Sequence, residues 1–164
     1  MRLTTFSDYG LRVLMYLGVH GDRLATIGEV ARAYGVSENH LMKVVHHLAQ
    51  HGYIETIRGK GGGMRLARAP GHINIGAVVR QSEDSFGFVE CFDRDTSDCR
   101  IAPACSLKHV LVEALESFFA TLDRYTLADL LSNRSRLAKL LPGPPAIPLR
   151  PVLQARRRRP AERA

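Results

Sequence analysis

The feature that most constrains the fold of this chain is a pair of short helical patterns separated by only two residues. The first pattern begins at a capping box formed by Thr26 and Glu29 and ends at Gly35. The second is expected to follow Ser37 as its cap and to stop at Gly52. Its apolar residues recur three or four positions apart: Leu41, Val44, Val45 and Leu48. Two short helices joined by a tight glycine-containing turn are typical of a helix-turn-helix unit.

A β-hairpin is predicted directly after these two helices. Residues 53–57 and 64–67 alternate in the manner of strands, and the turn between them is rich in glycine. Three basic residues flank that turn: Arg58, Lys60 and Arg65. A basic, glycine-rich hairpin after a helix-turn-helix is typical of a wing. Residues 1–70 are therefore predicted to form a winged helix-turn-helix DNA-binding domain.

The rest of the chain divides into three further segments. Residues 71–106 are predicted to hold a linker helix and an acidic, aperiodic loop with all three cysteines. Residues 107–132 are predicted to form a long dimerisation helix that packs against its own copy in a second chain. The seam of that helix is Leu107, Leu111, Ala114, Phe118, Leu122 and Tyr125. Residues 133–164, rich in proline and arginine, are predicted to be a disordered tail. The expected fold class is mainly α with a small β wing.

Charge is distributed unevenly along the 164 residues, whose formal net charge is +7. Residues 1–70 carry nine basic and five acidic residues, which indicates a polyanionic partner for the winged domain. The last fifteen residues carry six arginines against Glu162. No apolar run approaches the ~20 residues that a membrane span requires, and no clear secretory cleavage site follows the first residues. We therefore expect a cytoplasmic protein.

The second helix of a helix-turn-helix, called the recognition helix, enters the major groove of double-stranded DNA, where its N-terminal side chains reach base edges. In this chain those positions hold Ser37, Glu38, Asn39, His40 and Lys43. Asparagine pairs with adenine, glutamate accepts from cytosine, and lysine binds guanine or a phosphate. The wing residues Arg58, Lys60 and Arg65 are expected to bind the DNA backbone or minor groove. The alternatives are a protein-binding winged helix and, for the wing, a flexible hairpin tip without a ligand.

The three cysteines, Cys91, Cys99 and Cys105, give the most specific chemical signal. Their odd number argues against a disulfide framework, and they lack the close Cys pairs of zinc and dithiol redox sites. Thiolates on one loop suit an iron–sulfur cluster, whereas inert buried cysteines are unexpected in an acidic loop. The residues leave the fourth ligand open among Asp93, Asp95, Asp98, Glu90, His109 and the partner subunit's Asp8. A carboxylate is a more exchangeable iron ligand than a thiolate, which suits a sensor.

Four stretches of the sequence, within about residues 1–132, resemble the iron–sulfur winged-helix transcriptional repressors. They are the opening T-T-F-S-D-Y-G-L-R-V-L-M-Y-L, the run V-S-E-N-H-L-M-K-V-V, the wing R-G-K-G-G-G-M-R-L-A and the three cysteines before a long helix. The run C-S-L-K-H-V-L after the third cysteine is most similar to the nitric-oxide-sensing members of that family.

This resemblance implies a homodimeric repressor that binds a palindromic DNA operator and responds to nitric oxide. It implies that Cys91, Cys99 and Cys105 hold an iron–sulfur cluster, [4Fe-4S] in preference to [2Fe-2S], with the partner subunit's Asp8 as the fourth ligand. Arg12, one helical turn beyond Asp8, would lie beside that carboxylate. The seven-residue gap between Cys91 and Cys99 is longer than the family leads us to expect, so the identity of the fourth ligand stays open.

An enzyme is not expected, because the sequence shows no nucleophile–base pair, nucleotide fingerprint or radical-type Cys-x3-Cys-x2-Cys motif. No residue is therefore assigned a catalytic role. The alternative functions are an iron–sulfur-homeostasis or general redox- or iron-responsive regulator of the same fold, a zinc-binding structural protein, and an electron carrier.

Overall fold

A computed structural model of the chain describes residues 2–83, 86, 89, 92 and 99–143. Its helices are α1 (Thr5–Val19), α2 (Ile27–Tyr34), α3 (Glu38–Gln50), α4 (Ile75–Ser82), α5 (Ser106–Leu122), α6 (Leu127–Leu130) and α7 (Arg134–Leu140). Strands β1 (Ile54–Ile57) and β2 (Gly63–Leu66) form an antiparallel hairpin. The expected fold class, mainly α with a small β wing, is confirmed. No helix within the described ranges is long and apolar enough to cross a membrane.

The helix-turn-helix, α2 and α3, forms for reasons that are local in the sequence. Thr26 caps α2 by accepting a hydrogen bond from the backbone N–H of Glu29 at 3.2 Å. Gly35 ends α2 at φ 65°, a left-handed conformation that glycine adopts without strain. The predicted capping box is only half formed, because the Glu29 carboxylate accepts a hydrogen bond from Arg23 at 2.7 Å instead.

Helix α1 lies at the centre of the core. Val13, Leu14 and Tyr16 are fully buried, and α1 packs against α3, α4 and the hairpin. The base of the hairpin is fixed to the chain between α1 and α2 by two backbone hydrogen bonds between Ala25 and Met64, at 3.0 and 2.8 Å. The position of the hairpin is therefore set by the same core as the position of α3.

Helix α5 ends at Leu122, earlier than the predicted end at residue 132. The Asp123 carboxylate accepts two hydrogen bonds of 2.6 Å from the Arg80 guanidinium on α4, and these bonds lower the pKa of Asp123. The Tyr125 carbonyl accepts a hydrogen bond from the first N–H of α4 at 3.0 Å, and Thr126 then caps α6. These tertiary bonds turn the chain out of the helix, so Tyr125 is not part of the seam.

The apolar seam of α5 has little cover within the described chain. Phe119 is the buried residue of this helix, where it packs against the Phe86 ring at 4.6 Å between centroids. Leu107 and Val110 are 62% and 59% exposed, and Ala114 is exposed as well. An apolar row of exposed and half-buried side chains, from Leu107 through Val110 and Ala114 to Phe118, therefore runs along α5, whereas Leu122 at the end of the helix packs against the core.

The predicted start of the disordered tail at residue 133 is wrong. Residues 134–140 form α7, and Leu141 is only 8% exposed in the core. Arg134 Nε donates a hydrogen bond to the Val19 carbonyl at 2.8 Å, and the His20 ring contacts the Leu141 carbonyl at 2.9 Å. This segment thus fastens to the end of α1 through long-range contacts that composition does not reveal. Residues 144–164 lie outside the described residues.

Candidate nucleic-acid interface and metal site

Helix α3 presents a polar surface on the side opposite to its buried stripe. The predicted base-reading residues Ser37, Glu38, Asn39, His40 and Lys43 are all exposed. The helical period of 3.6 residues places Asn39, Lys43, His46 and Gln50 in one row along the outer face. Such a row on a projecting helix has the shape and hydrogen-bonding groups that enter a major groove.

The five predicted residues do not all face the same way. Glu38 turns towards α2, since a Cβ atom on Gly28 would lie 3.1 Å from its Oε1 atom. His40 turns towards α1, where its ring lies 6.5 Å from the Tyr9 ring between centroids. Asn39 and Lys43 are therefore the predicted residues that lie on the outermost face.

The sequence prediction missed three exposed residues of the same helix. Met42 is 51% exposed, and His46 and Gln50 are exposed too. The sequence contains a signal for their exposure, because these positions fall outside the apolar stripe that packs α3 on the core. They belong to the surface that the structure offers to a partner.

The hairpin has a basic tip whose backbone requires glycine. Gly59 and Gly61 have φ angles of 99° and 80°, which side-chain-bearing residues rarely adopt. Arg58 and Lys60 are exposed, and neither takes part in an ion pair among the residues that the structure describes. Arg65 differs, because it pairs with Glu55 directly across the hairpin. Arg58 and Lys60 are thus the wing cations with the most charge available for a phosphate.

The carboxylate of Asp8 lies beside Arg12, as the helical spacing predicts. Arg12 donates from Nε to Oδ1 at 2.9 Å, and its Nη2 lies 2.9 Å from Oδ2. Both side chains are about 40% exposed. The Arg12 guanidinium also lies over two aromatic rings, 5.9 Å from the centroid of Tyr9 and 5.6 Å from that of Tyr34. Burial raises the pKa of Tyr34 to about 12, so its hydroxyl stays neutral beside the cation.

The first turn of α1 is also joined to the start of the cysteine-containing loop. The Glu83 carboxylate accepts hydrogen bonds from the backbone N–H and the hydroxyl of Thr4, at 2.8 and 3.0 Å. The Ser82 hydroxyl donates to the buried Ser7 hydroxyl at 2.8 Å. The chain therefore leaves α4 for the loop at a point fixed to the helix that carries Asp8.

Two of the three cysteines lie in the described residues. Cys99 and Cys105 are partly exposed free thiols, and Cys105 immediately precedes α5. Cys91 lies outside the described residues, as do the other candidate ligands Glu90, Asp93, Asp95 and Asp98. His109 is exposed on α5.

The donor chemistry fits an iron–sulfur cluster. Accessible thiols are the ligands that such clusters take, and the Asp8 carboxylate is exposed enough to be reached by a second subunit. Across residues 2–83, 86, 89, 92 and 99–143, no three His, Cys, Asp or Glu side chains lie close enough to hold a metal ion. A complete site therefore needs a residue outside those ranges, such as Cys91, a residue of another subunit, or both.

The sequence model of the Rrf2 family, described as iron-dependent transcriptional regulators, matches residues 3–133. The HTH-type transcriptional regulator NsrR of Bacillus subtilis (strain 168) is 53% identical over 142 residues, which cover 86% of this chain and 97% of that protein. The regulator of the same name from Halalkalibacterium halodurans is 50% identical over 142 residues, with the same coverage of both chains.

Solved structures show the same fold. The structure of IscR from T. potens superposes with a TM-score of 0.67 at 27% identity, over 84% of this chain and 90% of that one. The structure of CymR (YrzC), the global cysteine regulator of B. subtilis, superposes with a TM-score of 0.62 at 28% identity, over 81% of this chain and 98% of that one.

Proposed function

This chain belongs to the Rrf2 family of iron-dependent transcriptional regulators, and from that membership we propose that it is a cytoplasmic homodimeric repressor that senses nitric oxide through an iron–sulfur cluster. It releases operator DNA when the cluster is nitrosylated or lost. Proteins of this family are DNA-binding regulators rather than enzymes. The observation that carries the proposal is the contact from Asp8 through Arg12 to the helix-turn-helix. The signal follows from the resemblance to nitric-oxide-sensing members, which the 53% identity to a regulator named NsrR supports.

In this proposal Cys91, Cys99 and Cys105 hold a [4Fe-4S] cluster, and the partner subunit's Asp8 supplies the fourth ligand. When bound, the cluster supplies iron atoms with which nitric oxide reacts. The partial exposure of Cys99 and Cys105 supports this assignment, because a sensor needs ligands that its signal can reach. A carboxylate at the fourth position gives a site that opens more easily than one with four thiolates.

The contacts of Arg12 provide a physical link between Asp8 and the DNA-reading helices. A carboxylate that serves as a ligand shares its negative charge with iron and holds Arg12 less strongly. The guanidinium lies over Tyr34, one residue before the turn of the helix-turn-helix, and over Tyr9, whose ring faces His40 on α3. A change at Asp8 therefore alters the support of α2 and α3 together. An allosteric coupling of ~1–3 kcal/mol between two sites is ordinary and changes affinity about 5–150-fold.

The homodimer is supported by the exposed seam of α5. A helix whose apolar row lacks cover in one chain gains stability by packing against a second copy. A two-fold dimer of winged helices presents one recognition helix to each half of a palindrome, and the two half-sites are expected to lie about one helical turn apart.

The wing and the recognition helix are expected to contribute differently to DNA binding. Arg58→Ala or Lys60→Ala should weaken binding to all sequences and reduce the slope of log affinity against log salt by about 2, since a dimer loses two phosphate contacts at about 0.9 each. Asn39→Ala should relax base preference instead. Gel shifts at several salt concentrations, on specific and scrambled duplexes, measure both quantities.

Arg65→Ala is the matched control for the wing, because Glu55 already shares the charge of Arg65. It should change the salt slope less than Arg58→Ala does. An Arg58→Ala protein that has altered sequence preference and an intact salt slope would contradict this division of roles.

The arginine-rich C-terminal segment is expected to add nonspecific contacts to DNA phosphates. Residues 150–164 carry six arginines and one acid. Truncation after Gly143 keeps Leu141 in the core and should lower nonspecific affinity at low salt while leaving base preference unchanged. Replacing Arg156, Arg157, Arg158 and Arg159 with glutamine in the full chain separates charge from length. Unchanged nonspecific affinity in both variants would show that the segment is dispensable for DNA binding.

One alternative is an iron–sulfur-homeostasis or redox-responsive regulator of the same fold, which the structural similarity to IscR favours. Anaerobic purification followed by an absorption spectrum tests the shared premise. A brown protein with visible charge-transfer bands supports a cluster, whereas a colourless protein with one stoichiometric zinc supports a structural metal site. Titration of the brown protein with nitric oxide and, separately, with oxygen or an iron chelator then distinguishes the two kinds of regulator by which agent releases DNA.

A further inference from the structure

A large apolar side chain lies exposed within the polar surface of the recognition helix. Met42, the fifth residue of α3, is 51% exposed, and Asn39 and His46, about one turn away on either side, are exposed as well. The core contact of α3 is made by other residues, namely Leu41, Val44, Val45 and Leu48. An apolar side chain that stays in water contributes little to folding, so packing does not account for a methionine at this position.

The exposed apolar side chain of Met42 is complementary to one chemical group in the major groove. Among the edges that base pairs present there, the 5-methyl group of thymine is the apolar one. Methionine is long, unbranched and flexible, so its terminal atoms adapt to a small apolar target. Its neighbour Asn39 carries the amide that pairs with adenine, and both side chains project from the first half of α3, the part of a recognition helix that reaches base edges.

We propose that Met42 is a specificity-determining residue that recognises the methyl group of a thymine in each half-site of the operator. The inference rests on the proposed function, because it requires α3 in the major groove. It adds an apolar contact to a surface whose predicted contacts with DNA are all polar. Removing the methyl group is expected to lower affinity about fourfold for each half-site, because this factor corresponds to the free energy of burying one CH₂ group.

The test pairs a protein variant with a change of one methyl group in the DNA. A duplex is first selected from a random pool by the wild-type protein, and each thymine is then replaced in turn by deoxyuridine, which removes only the methyl group. Wild-type protein should lose about fourfold in affinity at one thymine position in each half-site. Met42→Ala changes both subunits, so it should bind the thymine duplex as weakly as wild type binds a duplex with deoxyuridine at that position in both half-sites, with no further loss when both changes are combined.

Two further variants keep the experiment interpretable. Met42→Leu retains an apolar side chain and should keep the preference for thymine. Leu140→Ala removes a side chain that is 69% exposed on α7 and should leave DNA binding unchanged. If wild-type protein binds a selected duplex but binds thymine and deoxyuridine equally at every position, this inference is overturned and the proposed function is not. Additive losses when Met42→Ala is combined with deoxyuridine would also overturn this inference. A wild-type protein that selects no duplex would overturn the proposed function and this inference with it.

Discussion

We expect cluster-loaded protein to lose operator affinity about 5–150-fold after stoichiometric nitric oxide, and Cys99→Ala protein to show no such response. Cys99 is a partly exposed free thiol, so its replacement removes a proposed ligand without opening the core. Anaerobic titrations of a labelled operator duplex measure the affinity of four samples: loaded protein before and after nitric oxide, protein without iron, and Cys99→Ala. Visible absorption of each sample reports cluster content independently of DNA binding.

Asp8→Ala separates the carboxylate ligand from the cysteines. We expect this variant to have a weaker response to nitric oxide and a cluster that is lost more readily in air. Asp22→Ala is its matched control, because Asp22 is an exposed aspartate just beyond the end of α1. If all four samples of the first experiment bind the operator equally, the cluster is not the switch. An Asp22→Ala protein that behaves like Asp8→Ala would indicate a nonspecific effect of charge.

The double variant Val110→Asp, Ala114→Asp should be a monomer and should bind the operator at least about 100-fold more weakly than the native protein. Both positions are exposed on α5, so the substitutions leave the core of each chain intact. In a dimer they would place four carboxylates in the exposed apolar row of α5, where desolvation and mutual repulsion oppose association. A monomer loses the high effective concentration that links the two half-sites, which is commonly worth 10²–10⁴ in affinity.

Sedimentation and operator titration at matched concentrations measure both effects. Leu140→Asp also places an acid at an exposed apolar position, on α7, and should leave the protein dimeric and active. A double variant that stays dimeric would show that the dimer uses another surface. A monomeric variant that retains full operator affinity would contradict the proposed mode of DNA recognition.

Much of the DNA-reading unit is predictable from the sequence because its determinants are local. The turn at Gly35, the cap at Thr26 and the spacing of apolar residues act over one to four positions, so the pattern contains them. Asp8 and Arg12 are likewise four residues apart on one helix, and the structure joins them as the spacing predicts.

The features that could not be predicted from the sequence depend on contacts between residues that are distant in the chain. The end of α5 is set by Arg80 and Asp123, and the C-terminal limit of the described core is set by Leu141, which packs among residues far from it in sequence. The orientation of Glu38 towards α2 and the pairing of Arg65 with Glu55 are decided in the same way.

The sequence by itself determined the class of fold, the order of its parts and the residues that carry charge and thiol chemistry. Tertiary structure decided which of those residues face outwards, which are already paired within the chain, and which apolar row on α5 is left exposed. The physical reason is that periodicity, caps and turns depend on neighbouring residues and their backbone geometry. Exposure and pairing depend on which elements the core brings together, and that choice is made by burial across the whole chain.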